Sequence, residues 1–195
     1  MAYPVLADIK AYLGTSQPGD DALLTALMTA AIAYIEGPTG ADRRFAVTAD
    51  TTRRFDANGD VSGRTLRLDE DLCQITSVTN GDGATVAAGD YVTEPRNHAP
   101  YRALTLKFTT TAPIWTWNTT PEDAIVIVGR WGYSITPPAD IAQAFKAMVA
   151  YFYRRRSSSG SQDGTVVAEG IVITPATMPK DIQGILTAYR RRWLS

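Results

Sequence analysis

Residues 20–40 read DDALLTALMTAAIAYIEGPTG. Leu24, Leu27, Met28, Ala31, Tyr34 and Ile35 recur at steps of three and four, which places them on one face of a helix. Asp20 stands where an N-terminal cap is wanted, and Asp21 adds negative charge at the positive end of the helix dipole. Ala22, Ala26, Ala30 and Ala33 keep the remaining faces small enough for another helix to approach. Gly37-Pro38-Thr39-Gly40 stops the helix. Beyond it the apolar period changes from about 3.6 residues to two. That change decides the fold class.

Working outward, Val5 to Leu13 is a short amphipathic segment closed by Gly14. On the other side, Thr52–Phe55, Arg64–Leu68, Gln74–Thr79, Ala84–Val86, Tyr91–Glu94, Ala103–Phe108 and Ile125–Trp131 read as short strands. Asn80-Gly81-Asp82-Gly83 offers the positive-φ residues of a tight hairpin, and Glu94 to Tyr101 reads as a longer loop. Thr136-Pro137-Pro138 opens a third helix with Ile141, Phe145, Met148 and Phe152 as its stripe. Arg154-Arg155-Arg156 closes it, where positive charge suits the dipole. Residues 157–164 are a low-complexity linker, and Val166 to Thr174 alternates as an edge-like strand. Pro179 starts a last helix with Ile182, Ile185, Leu186 and Tyr189 on one face. The expected class is α+β: a helical core of about four helices with an antiparallel β insertion between the second and third. The divisions are residues 1–40, the N-terminal helices; 41–136, the β-rich insertion; 137–156, the third helix; 157–178, the linker; and 179–195, the last helix and tail.

Composition narrows the chemistry. The chain has 195 residues, 45% apolar and 20% charged, which fits a globular protein of one domain or a core with one insertion. Its start shows neither a basic region nor a long apolar run, so no secretory signal is expected. Ala22 to Ile35 is too short to cross a bilayer, which takes roughly 18 residues or more. One cysteine, Cys73, and one histidine, His98, exclude a Cys/His metal cluster and an intrachain disulfide, and point to a reducing compartment. Asp56 to Asp60 superficially suggests a calcium loop, but Val61 stands where that loop needs glycine and Arg67 where it needs glutamate, so a plain turn is expected. Asp69-Glu70-Asp71 is the densest acidic run and reads as an exposed turn; paired-carboxylate catalysis needs two acids roughly 5–9.5 Å apart across a cleft. Cys73, beside Leu72 and Ile75, reads as a small buried apolar side chain. No enzymatic activity, cofactor or metal is expected.

Charge is polarised. Residues 1–140 hold 11 Lys+Arg against 17 Asp+Glu, and residues 141–195 hold 8 against 3, so −6 and +5 give the net −1. Fifteen of the 19 basic residues are arginine, suited to forked contacts with carboxylates or phosphates. Arg154, Arg155 and Arg156 form a collar at a helix end, and with Val166, Val167, Ile171, Val172 and Ile173 they are the candidate subunit or partner contact. The tail Arg190-Arg191-Arg192-Trp193-Leu194-Ser195 leaves tryptophan and leucine in water unless a partner or the chain's own core buries them.

Several segments together carry a family resemblance: Leu6-Ala7-Asp8-Ile9-Lys10-Ala11-Tyr12-Leu13, Asp20 to Leu24, Ala30 to Glu36, Gly40 with Arg43-Arg44-Phe45, Leu66-Arg67-Leu68 to Val78, Ile125 to Tyr133, Pro138 to Arg156, and Met178-Pro179 to Arg190. They resemble the head–tail connector (adaptor) proteins of long-tailed bacteriophages and gene transfer agents. The Trp115-Thr116-Trp117 stretch and the tail beyond Tyr189 depart from that pattern. The resemblance implies a homo-oligomeric ring, usually a dodecamer, beneath the portal protein in the neck of a virion assembled in the host cytoplasm. Such a ring prolongs the channel for double-stranded DNA without reading its sequence, meets stopper or tail-completion proteins on its far side, and has no membrane partner. In relatives the C-terminal segment docks on the portal, which by position makes Tyr189, Arg190, Arg191, Arg192, Trp193, Leu194 and Ser195 the candidate docking element. A conduit should not grip phosphate, so acidic or neutral residues of the 1–140 region are expected along the lumen. The alternative is a DNA-binding packaging component, small-terminase-like, with the arginine collars on phosphate.

Overall fold

The computed structural model describes residues 3–108, 114–157, 166–167, 170–171 and 178–191. The chain divides into two compact units, Met1–Arg43 with Thr136–Ser195, and Arg44–Ile135. The first is helical: α1 (Leu6–Leu13), α2 (Asp21–Glu36), α3 (Ala139–Ser157) and α4 (Lys180–Tyr189). Its middle is α3, which packs against the other three helices. Ile141, Ala144, Phe145, Met148, Val149, Ala150 and Phe152 are buried along it, a wider face than the four-residue stripe that periodicity suggests. Leu24, Leu27, Ala31 and Ile35 of α2, Ile9 of α1 and Ile182 and Leu186 of α4 complete this core. α1 ends on Gly14 at φ 69°, a left-handed C-cap whose N–H reaches the Ala11 carbonyl at 3.2 Å.

The cap expected at Asp20 does not form. Pro18–Asp20 make a 3₁₀ turn that runs directly into α2, so Asp20 is already at φ −93°, ψ −3°, and its carboxylate makes no capping bond. It accepts instead from the Tyr153 hydroxyl at 2.6 Å, tying the start of α2 to α3. Asp21 pairs with Lys10 at 2.6 Å, fastening α1 to α2.

The second unit holds β1 (Thr51–Phe55), β2 (Val61–Ser62), β3 (Thr65–Thr79), β4 (Tyr91–Glu94), β5 (Tyr101–Leu106) and β6 (Ile125–Trp131). All strand pairs are antiparallel; the order is β1-β6-β3-β5-β4, and β2 pairs with β3. In sequence the strands fall between α2 and α3, as the change of period predicts. β6 alternates strictly between buried and half-buried residues, with Ile125, Ile127 and Trp131 in the core beside Leu66, Leu72, Leu104 and Leu106.

Two expectations need correction here. Arg64–Leu68 and Gln74–Thr79 are not separate strands around an acidic turn; they are the two halves of the 15-residue β3. β5 pairs along its first half and β6 along its second, with register breaks between Arg67 and Leu72, Leu72 and Gln74, and Ile75 and Ser77. Ala84–Val86 forms only a bridge, Thr85 opposite Thr79, with the Val86 N–H on the Val78 carbonyl at 2.9 Å. In the preceding turn Gly83 alone takes positive φ (86°). Gly81 is required for another reason, because a Cβ there would meet Ala124 Cβ at 2.8 Å and run into the Thr116 carbonyl.

The Asp56 to Asp60 segment forms the expected turn, and its carboxylates serve the backbone. Asp56 Oδ1 accepts from the Asn58 and Gly59 N–H groups at 2.7 and 2.9 Å, and Asp60 Oδ2 accepts from Asp56 N–H at 2.8 Å. The Gly59 and then the Asn58 bond hold the Asp56 carboxyl below its ordinary value. A depressed folded-state value means that this stabilisation is present above the unfolded value of about 4 and is lost as pH falls through the folded one. Asp56→Ala should therefore be less stable than wild type at pH 7 and converge on it in acid, read by urea unfolding across a pH series. Gly129 of β6 sits where a Cβ would collide with the Gln74 carbonyl and stand 2.9 Å from Leu72 Cδ1. Gly129→Ala should lower the urea midpoint by the equivalent of about 1–3 kcal/mol.

Candidate functional site

The acidic run Asp69-Glu70-Asp71 lies within β3, and it is an ion-pair layer. Arg44 clasps Glu70 with two bonds, Nε to Oε1 and Nη2 to Oε2, both 2.9 Å. Arg53 of β1 donates to Asp69 at 2.6 Å and also to Glu70, while its guanidinium carbon stands 4.8 Å from the Trp131 ring centroid. Asp71 is only 2% exposed, with Arg102 Nε 4.0 Å from its carboxylate. The run is therefore strand and not turn: Asp71 is buried and Glu70 is held by a forked guanidinium, while Asp69 stays exposed as expected. Arg130 adds a parallel tie to Asp50 at 3.3 Å.

The other chemically suggestive side chains are placed plainly. Cys73 is half-buried, its Sγ–H donating to the Arg130 carbonyl at 3.2 Å, and burial pushes the thiol up from its ordinary value. His98 is exposed in the loop before β5. Among the described residues no group of His, Cys, Asp and Glu is arranged to hold a metal ion.

The expected contact residues divide. Tyr189 hydrogen-bonds both carboxylate oxygens of Asp140 at 2.9 Å, and Arg191 N–H donates to the Ala41 carbonyl at 3.0 Å, so the root of the tail is fastened to the helical unit. Arg190 is exposed at the end of α4. Arg192, Trp193, Leu194 and Ser195 lie outside the described residues, as do the 158–165 part of the linker and Val172 and Ile173. Arg154 is exposed and Arg155 half-buried near the end of α3; Arg156 is in that helix, its side chain beyond the description. Val166 and Val167 (β7, Val166–Val167) pair with Ile171 and Gly170 (β8, Gly170–Ile171) in a separate two-stranded sheet.

The sequence reading missed one surface. Phe108, Ile114 and Trp117 are exposed large apolar side chains flanking β5 and β6. Residues 108–121 contain no charged residue, and that gap was the available signal. Trp115 between them is buried, its indole N–H on the Arg64 carbonyl at 2.9 Å.

The model of the head completion protein family matches residues 5–192. The chain belongs to that family. Two solved structures share the fold of this head completion protein. A chain in the neck of an empty gene transfer agent particle, computed with C6 symmetry, matches with a TM-score of 0.57 and 15% identity, over 99% of this chain and 92% of that one. A chain in the virion of a native gene transfer agent particle matches with a TM-score of 0.58 and 20% identity, again over 99% and 92%. No curated protein matches the sequence. The resemblance to connectors of phages and gene transfer agents thus holds at the level of the family, whose role in head completion is structural.

Glu70→Gln keeps the shape of the ion-pair layer and removes the charge that two guanidiniums share. With Glu70 19% exposed, the variant should lose about 1–3 kcal/mol in urea unfolding, where a solvated turn would lose nothing measurable.

Proposed function

We propose that this head completion protein is the head-to-tail adaptor of a phage-like virion. Copies form a ring, a dodecamer, in the neck beneath the portal protein. The ring extends the channel through which double-stranded DNA passes without base recognition, and meets stopper or tail-completion proteins on its far side. The observation that carries this reading is the family match over residues 5–192, joined to a fold shared with a chain of a gene transfer agent neck. Six-fold averaging of that neck suits rings of six or twelve copies.

The tail supplies the portal contact in this proposal. Tyr189 and Arg191 hold its root against the helical unit, which limits the entropy lost on docking. Arg190, Arg192, Trp193 and Leu194 are the anchors, a composition typical of interface centres. Deleting residues 192–195 spares both root bonds, so the purified variant should unfold within about 0.5 kcal/mol of wild type. It should nevertheless fail to join portal-bearing capsids in a co-sedimentation assay; undiminished attachment would refute the docking role.

A further inference from the structure

The β unit carries an apolar tip that its own fold holds in place. Ile114 is 57% and Trp117 43% exposed, and Phe108, nearby, is 87% exposed. Buried Asn80 fixes the backbone between them: its Nδ2 donates to the Ile114 carbonyl at 3.1 Å, and its Oδ1 accepts from the Thr116 N–H at 3.1 Å. On the Phe108 side the Arg64 guanidinium stands 4.2 Å from the ring centroid while donating to the Leu106 and Lys107 carbonyls. A backbone fixed on both sides of Trp115 has less conformational freedom left to lose on docking, which is what an interface anchor needs.

The rim of the tip is charged unevenly. Around Trp117 the charged exposed residues are acidic: Asp82, whose carbonyl accepts from Asn118 Nδ2 at 3.2 Å, and Glu122 and Asp123, which lead into the Ala124 that abuts Gly81. Gly81 itself bridges Trp117. An apolar patch with a carboxylate rim is matched by a surface of long aliphatic stems with positive heads. The end of α3 has that chemistry in Arg154, exposed, and Arg155, half-buried.

Resting on the ring proposed above, we infer that the Ile114–Trp117 tip of one copy docks on the arginine-bearing end of α3 in the next copy. A closed ring requires two different complementary patches on every subunit, and these two are unlike in shape and opposite in charge. Neither is self-complementary, so the contact propagates from copy to copy and does not stop at a dimer.

The test places a photo-reactive group at the tip, Trp117→benzoylphenylalanine, in the full chain within assembled particles. Irradiation should join residue 117 to a peptide spanning residues 146–157 of a second copy. An adduct with a different polypeptide, or no adduct although the neck holds several copies, overturns this docking and leaves the ring standing. A neck with a single copy overturns both. Glu122→Lys with Asp123→Lys should reduce ring yield several-fold in native mass spectrometry, and adding Arg154→Glu and Arg155→Glu should restore it. Circular dichroism of each variant reports that the subunit is folded; folded subunits whose yield does not recover on charge exchange refute the pairing.

Discussion

A strand through the middle of a sheet cannot easily carry three consecutive acids, and in this chain it does. β3 is flanked by β5 along one half and β6 along the other, so every other pairing in the β unit hangs on its continuity. That continuity depends on Arg44 and Arg53 meeting Asp69 and Glu70 across the sheet. Arg53 also leans on Trp131, which is fully buried, so the ion-pair layer and the apolar core share a side chain at their boundary. Partly buried pairs of this kind hold geometry more than they add stability, since desolvation offsets much of the attraction.

The helical unit is organised differently. Its centre is one helix, α3, with residues buried over most of its circumference and three shorter helices laid against it. Polar ties then set the registers: Tyr153 to Asp20, Tyr189 to Asp140, Lys10 to Asp21. The two tyrosine ties join elements far apart in sequence, the lysine tie joins successive helices, and each uses a hydroxyl or ammonium at the edge of the core. Tyr3 belongs to the same pattern, its ring 5.1 Å from Phe145 and its hydroxyl on Glu36 at 3.0 Å; burial and then the neighbouring Glu36 charge push its pKa well above the ordinary tyrosine value, keeping the phenol protonated.

In this head completion protein Arg44, Arg53 and Arg130 of the β unit are engaged with the carboxylates of Glu70, Asp69 and Asp50, burial raises the pKa of the Cys73 thiol, and Trp115 and Trp131 are buried while Trp117 is exposed.

The linear pattern determined a good deal. The switch in apolar period at Gly40 and back at Thr136 is a local property, so it placed the helices and the strands β1, β4 and β6 with little error, and it supported the family resemblance. It could not show that Asp69-Glu70-Asp71 continues a strand, because their arginine partners lie 16 to 31 residues away and only the sheet brings them together. Nor could it show that Asp20 abandons its cap for Tyr153, 133 residues distant, or that Trp115 goes inside while Trp117 stays out. Propensity and period are written in neighbouring residues; the partner of a charge and the burial of one tryptophan over another depend on which distant segments the fold sets beside them.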